Sequence, residues 1–266
     1  MEHGLDEIGP PAEAIVRVGF HHAPCDPPPW SIVASDLTFA NRFDDARATA
    51  GRPLADCFRC IYFGSTAEAA FGEVLAGFQP PLAYLAKFAA VDDVEPLAEV
   101  LAGVLDFDRE TGKVRGIIRA EWRARRRLCH LTLDPDLRFA DLTTMRSRLY
   151  LRRELASLAQ HLGIQDIDFS IMLDPNQRRL TQACAVHIHE RSDAEGRPRF
   201  AGIRYVSRLN IQAWHCWALF DDRVKGRHPP GLIVPIAATD EALLRVARSF
   251  DLAIQTTAGS SQYLRP

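Results

Sequence analysis

The chain lacks a charge bias of either sign: 32 Lys and Arg stand against 34 Asp and Glu, a formal net charge of −2. So even a balance gives no global pull toward nucleic acid or an anionic membrane. Long apolar runs are missing too. Stretches such as Gly231 to Ala238 fall far short of the ~20 residues that a membrane-spanning helix needs. The N-terminus, MEHGLDEIGPP, is acidic, with no basic segment leading into an apolar one, so no cleaved secretory signal is visible. Six cysteines in a chain of this size do not read as a disulfide framework. A cytoplasmic, reducing setting is the expectation, with export by a route without a cleaved signal left open. There is no internal repeat and no low-complexity tract. At 266 residues the chain can bury a full core, as one large domain or as a domain with an insertion.

Local patterns place the elements. Ala14 to Phe20 mixes β-branched and aromatic residues and reads as a strand. His21 to Trp30 carries four prolines, which remove backbone donors, and reads as loop. Asp36 to Ala50 reads as loop with a short turn of helix. Cys60 to Phe63 is a strand, and Ser65-Thr66-Ala67-Glu68 has the Ser-x-x-Glu spacing of a capping box that starts a helix. Leu82 to Val91 reads as a strand, and residues 92–127, acidic and then basic, as an insertion. Leu128 to Leu133 and Leu137 to Leu142 read as paired strands around Asp134-Pro135-Asp136. Arg146 to Leu162 is expected to be one helix closed by Gly163. A second helix is expected to start at Asp174-Pro175 and run to about Glu190. Strands follow at Gly202 to Val206, Trp214 to Phe220 and Ile233 to Ile236. A helix over Thr239 to Phe250 and a frayed tail close the chain.

One stretch gathers chemistry. Between Asn41 and Gly77 stand an arginine beside an aromatic (Arg42, Phe43), a strand ending near Tyr62, and a helix carrying Glu73. Phe71, Val74, Leu75 and Phe78 form the apolar stripe of that helix. At ~100° per residue Glu73 falls nearly opposite, among Thr66, Ala69, Ala76 and Gly77. A solvated face ordinarily carries longer side chains, so this one leaves room for another group to approach. A cation, a stacking ring and a carboxylate together suit a charged, ring-bearing ligand. The plain alternatives stay open: an exposed helical glutamate, an Arg42 paired to Asp44 or Asp45, a core tyrosine, a turn serine at Ser207.

With Ser207 included, the pattern resembles a known family. Arg42 in NRF, IYFGSTAEAAFGEVL with Tyr62 and Glu73, and GIRYVSRLN with Ser207 are similar to the RES domain, named for its Arg, Glu and Ser. RFADLT (Arg138 to Thr143) and TQACAVHIHE (Thr181 to Glu190) add to the resemblance, which covers roughly residues 14–91 and 128–222. It implies an α/β fold with the split, curved mixed sheet of ADP-ribosyltransferases, in one catalytic domain over 14–238 with the insertion at 92–127 and a C-terminal helix and tail over 239–266. It also implies an NAD-consuming toxin that cleaves the nicotinamide–ribose bond by glycohydrolysis, phosphorolysis or ADP-ribosyl transfer. Arg42, Tyr62 and Ser207 would bind NAD, and Glu73, Arg42 and Ser207 would act in catalysis. An antitoxin or immunity protein, and a target protein, are the implied partners. Rival readings are a catalytically inactive nucleotide- or protein-binding module and nucleic-acid binding through the arginines of 115–127.

No metal is expected. Cys57-Phe58-Arg59-Cys60 with His21, His22 and Cys25 is a weak zinc pattern, because no second spaced pair accompanies the first. His187 and His189 stand two apart on an expected helix and so point in different directions.

Overall fold

The computed structural model describes residues 4–79, 116–210 and 214–266. The expected strand at 82–91 and residues 92–115 of the expected insertion lie outside them. The described chain is mixed α/β. Eleven strands run in order: β1 (Glu7–Ile8), β2 (Ile15–Phe20), β3 (Cys60–Gly64), β4 (Ile117–Ile118), β5 (Arg126–Leu131), β6 (Phe139–Asp141), β7 (Gly202–Val206), β8 (His215–Phe220), β9 (Leu232–Pro235), β10 (Ala253–Gln255) and β11 (Tyr263–Leu264). The helices are α1 (Ala67–Leu75), α2 (Ala120–Ala124), α3 (Met145–Glu154), α4 (Ala156–His161), α5 (Phe169–Leu173), α6 (Arg178–His189), α7 (Asp221–Val224) and α8 (Glu241–Ser249).

An eight-stranded sheet has the order β1-β6-β7-β8-β3-β2-β5-β9, and β11-β10-β4 form a smaller sheet. The large sheet is antiparallel except between β6 and β7. Alternation along the strands divides the core. Even-numbered β2 and β3 positions and odd-numbered β7 positions face one side, where two clusters form. One cluster joins Tyr205, Cys216 and Ala218 to Leu180, Cys184 and Ile188 of α6. The other joins Val16 and Val18 to Phe71 and Leu75 of α1 and Leu243 and Val246 of α8. Ile61, Phe63, Trp217 and Leu219 pack on the opposite side.

Several expectations are corrected. The turn at Asp134 forms, with the Leu137 amide donating to the Asp134 carbonyl at 3.1 Å, but the flanking strands do not pair. β5 instead runs the length of β2, from Ile15↔Leu131 to Phe20↔Arg126, while β6 lies parallel to β7, where Arg204 reaches Asp141 at 2.9 Å. The single helix expected over 146–162 is two, interrupted at Leu155, though Gly163 does take the left-handed conformation at its end (φ 73°). Asp174 does not cap the next helix; its carboxylate accepts from the Asn176 amide at 2.8 Å, which makes a separate turn before α6 begins at Arg178. The tail is not frayed, since β10 and β11 pair with each other and β10 pairs with β4. Residues 126–127, assigned to the insertion, open β5 and belong to the large sheet.

The arginines of 119–127 do not share one helix face. Arg123 is buried and donates to the carbonyls of Ile236, Gln255 and Thr256 at 2.6 to 3.3 Å. Arg126 lies over the rings of Phe20 and Trp122, each 4.8 Å from its guanidinium carbon. The cysteines hold one bridge, Cys25–Cys129, with Cα atoms 5.5 Å apart. A separation of 104 residues hides such a pair from any reading of local spacing. Among the described residues, no helix is long and apolar enough to cross a membrane, and no group of three or more His, Cys, Asp or Glu is placed to hold a metal ion.

Candidate active site

The large sheet parts between β2 and β3. β2 meets β5 over six residue pairs and β3 meets β8 over five, yet β2 and β3 share only Val16↔Gly64. Val18 and Tyr62, next in that register, are no longer partners. Both line a cleft of about 420 Å³ that occupies the parting. The cleft lies between the two helical clusters: Val16, Val18 and Ala70 come from one, Tyr62, Tyr205 and Cys216 from the other. Its size falls within the range of small-molecule sites.

Glu73 reaches the cleft from α1. That helix starts where expected, but its N-cap is Thr66, whose hydroxyl accepts from the Ala69 amide at 3.2 Å. Ser65 instead accepts from the indole of Trp217 at 2.9 Å. The small residues beside Glu73 serve packing. A Cβ at Gly64 would sit 2.6 Å from the Ala70 amide, and one at Gly72 would sit 2.0 Å from the ring of Trp214. Glycine at these two places lets α1 close on β3 and on Trp214. Glu73 itself is exposed, forms no ion pair among the described residues, and is the one carboxylate among the described residues of the cleft wall.

Arg42 enters from the opposite side. Neither neighbouring aspartate takes it: Asp44 accepts from the Asn41 backbone and side chain (2.7 and 3.3 Å), and Asp45 is paired with Arg47 at 2.6 Å. The Arg42 guanidinium donates instead to the Met172 carbonyl and lies over the rings of Phe43 and Tyr205, each 5.2 Å away. Its Nε is buried without a partner. Ala40, two residues before it, has φ 60°, a left-handed conformation that costs a non-glycine residue roughly 1–2 kcal/mol. The Thr38 hydroxyl holds it, accepting from the Ala40 amide at 3.1 Å.

Tyr62 packs against the core and also lines the cleft, its hydroxyl accepting from the Phe43 amide at 3.0 Å. Burial pushes its phenol well above the ordinary range. Burial, with Cys216 and the Glu73 carboxylate nearby, does the same to Tyr205. The Cys216 thiol is also raised, by burial and then by Glu73. Burial thus favours the neutral forms of the two phenols and the thiol, beside one carboxylate.

Ser207 is placed differently from its three companions. It is fully buried at the end of β7, where its Oγ accepts from the Leu209 amide at 3.1 Å. The β7 residue on the cleft wall is Tyr205, two positions earlier and on the same face. Sequence reasoning passed over Tyr205, although strand alternation from Ser207 carries that signal. It also missed Arg178, the first residue of α6 and another cation of the wall. Nothing in the local spacing marks Arg178. The zinc pattern does not assemble: Cys25 is in the disulfide, and the Cys60 thiol faces the Phe43 carbonyl at 2.8 Å. His187 and His189 do diverge, to Tyr150 and Asp222.

No family model, no curated protein and no solved structure matches this chain.

Proposed function

We propose that the cleft binds NAD and cleaves its nicotinamide–ribose bond, in the manner of the RES domain. The observation that carries this reading is the meeting of Arg42, Tyr62 and Glu73, from three separate elements, on one cleft at the parting of the sheet. The split, curved sheet of ADP-ribosyltransferases is part of the same proposal. The lone pair joining β2 to β3 supports it.

Heterolysis sends the bonding electrons to nicotinamide and leaves oxocarbenium character on the ribose. Glu73 stabilises that charge as it develops. The free edge of the Arg42 guanidinium takes the diphosphate, since a planar fork matches two phosphate oxygens. Tyr62, fixed by its bond to the Phe43 amide, offers a ring face to the nicotinamide or ribose. Ser207 acts as a positioning residue by holding the turn after β7. Water, phosphate or a protein side chain then attacks the anomeric carbon. Such an activity depletes NAD or modifies a target, so an antitoxin or immunity protein in the cytoplasm belongs to the proposal.

A second reading is a nucleotide-binding module without turnover. The burial of Ser207 and the exposure of Glu73 favour it. Mass spectrometry of the products from NAD, with and without phosphate, separates the two. Nicotinamide with ADP-ribose, or with phosphorylated ADP-ribose, supports the enzyme. NAD binding with no product supports the module, and no binding rejects both.

A further inference from the structure

We propose that Arg178 is a second phosphate ligand of the cleft, and that Arg42 and Arg178 together select a diphosphate over a single phosphate. The inference deepens the nucleotide reading above and rests on it for the identity of the natural ligand.

Both arginines line the same cleft, Arg42 from the loop after β2 and Arg178 from the first turn of α6. Neither forms an ion pair among the described residues. The carboxylates close in sequence are engaged, Asp44 by Asn41 and Asp45 by Arg47 and the Phe58 amide. Burial pushes the Asp44 carboxyl up and the Arg178 charge pulls it partly back, while Asp44 itself bonds to Asn41 and forms no ion pair among the described residues. A third arginine at the wall, Arg17, is spoken for by the carbonyls of Pro24 and Asp26. Two half-buried guanidiniums therefore face one cleft with a single carboxylate, Glu73, beside them. An anionic ligand in the cleft would be attracted by both guanidiniums.

The two arginines are also held relative to each other. Gln182 of α6 donates to the Asn41 carbonyl at 3.2 Å, which ties the arginine loop to the helix. Met172, just before the turn into α6, supplies the carbonyl that anchors Arg42. Two forks on a fixed frame match linked phosphates better than one.

Calorimetric titration with inorganic pyrophosphate, inorganic phosphate and ADP-ribose tests this on wild type, Arg178→Gln, Arg178→Lys and Arg179→Gln. Wild type is expected to bind pyrophosphate at least about tenfold more tightly than phosphate. Arg178→Gln should lose about 10- to 100-fold for pyrophosphate and ADP-ribose, the loss of one charged hydrogen-bonding group. Arg178→Lys should recover part of that loss, and Arg179→Gln, an exposed neighbour, should match wild type. Equal affinity for the two inorganic probes, or Arg178→Gln within twofold of wild type, overturns the proposal. Pyrophosphate binding that depends on Arg178 without NAD cleavage would sink the enzyme alone. NAD cleavage with an unchanged KM in Arg178→Gln would sink only the present inference.

Discussion

Two residues show how far a side chain's role departs from its local setting. Arg123 sits in a run of arginines, yet it is buried and donates to three carbonyls across two segments. Replacing it with Met is expected to cost about 2–4 kcal/mol in urea unfolding, because those carbonyls lose a charged donor. A change under about 0.5 kcal/mol would return Arg123 to the solvated surface. Ser207, placed by its motif among ligand-binding residues, instead holds the Leu209 amide from a buried position. Ser207→Ala should cost about 1 kcal/mol of stability while NAD affinity stays within twofold. A large loss of affinity at unchanged stability would put the hydroxyl in direct contact with ligand.

Among elements, α1 is the one on which the proposed chemistry depends. Its apolar stripe, its start to within one residue and the place of Glu73 were legible in the sequence, because a period of 3.6 is a local property. The capping box was not formed, since Ser65 bonds to Trp217 and Thr66 caps the helix. What the small residues do was not legible, since Gly72 acquires its meaning only from Trp214, which arrives from far along the chain. Gly72→Ala should therefore cost about 1–3 kcal/mol and also slow any reaction that uses Glu73, the next residue, as the helix is pushed off Trp214. Wild-type stability in that variant would show that the indole can step aside. Strands were legible in the same limited way. β2, β3, β7 and β8 announce themselves by short apolar runs that are buried on both faces, but β5 and β6 look like a hairpin and are not one. A strand's pattern reports its burial, and its partner is chosen by the whole sheet. Arg178 matters only through what the assembled sheet and α6 bring beside it, whereas Tyr205 follows from Ser207 by strand alternation.

For the molecule as a whole, the two helical clusters on one face of the sheet and the parting of β2 from β3 produce a cleft that no single segment encodes. Cys25–Cys129 ties the proline-rich loop to the centre of β5 across 104 residues. In the chain-entropy account a loop of that length is worth about 4–5 kcal/mol. Reduction should thus lower the urea midpoint clearly, and Cys25→Ser should reproduce the effect without reductant. Identical midpoints in both redox states would mean that the bridge contributes nothing to the folded protein in solution. The loop it fastens also carries the Pro24 and Asp26 carbonyls that accept from Arg17 at the cleft wall.

In the proposed reaction this cleft breaks the nicotinamide–ribose bond with Glu73. The most direct measurement is nicotinamide release from NAD by wild-type and Glu73→Gln protein side by side. The expected result is release by wild type and a rate about 10²- to 10³-fold lower in the variant, the usual loss for one group stabilising charge in a transition state. The thermal midpoint should not move, because Glu73 is exposed and has no ion-pair partner among the described residues. Equal rates in the two proteins, or no release by wild type with or without phosphate, would contradict the account.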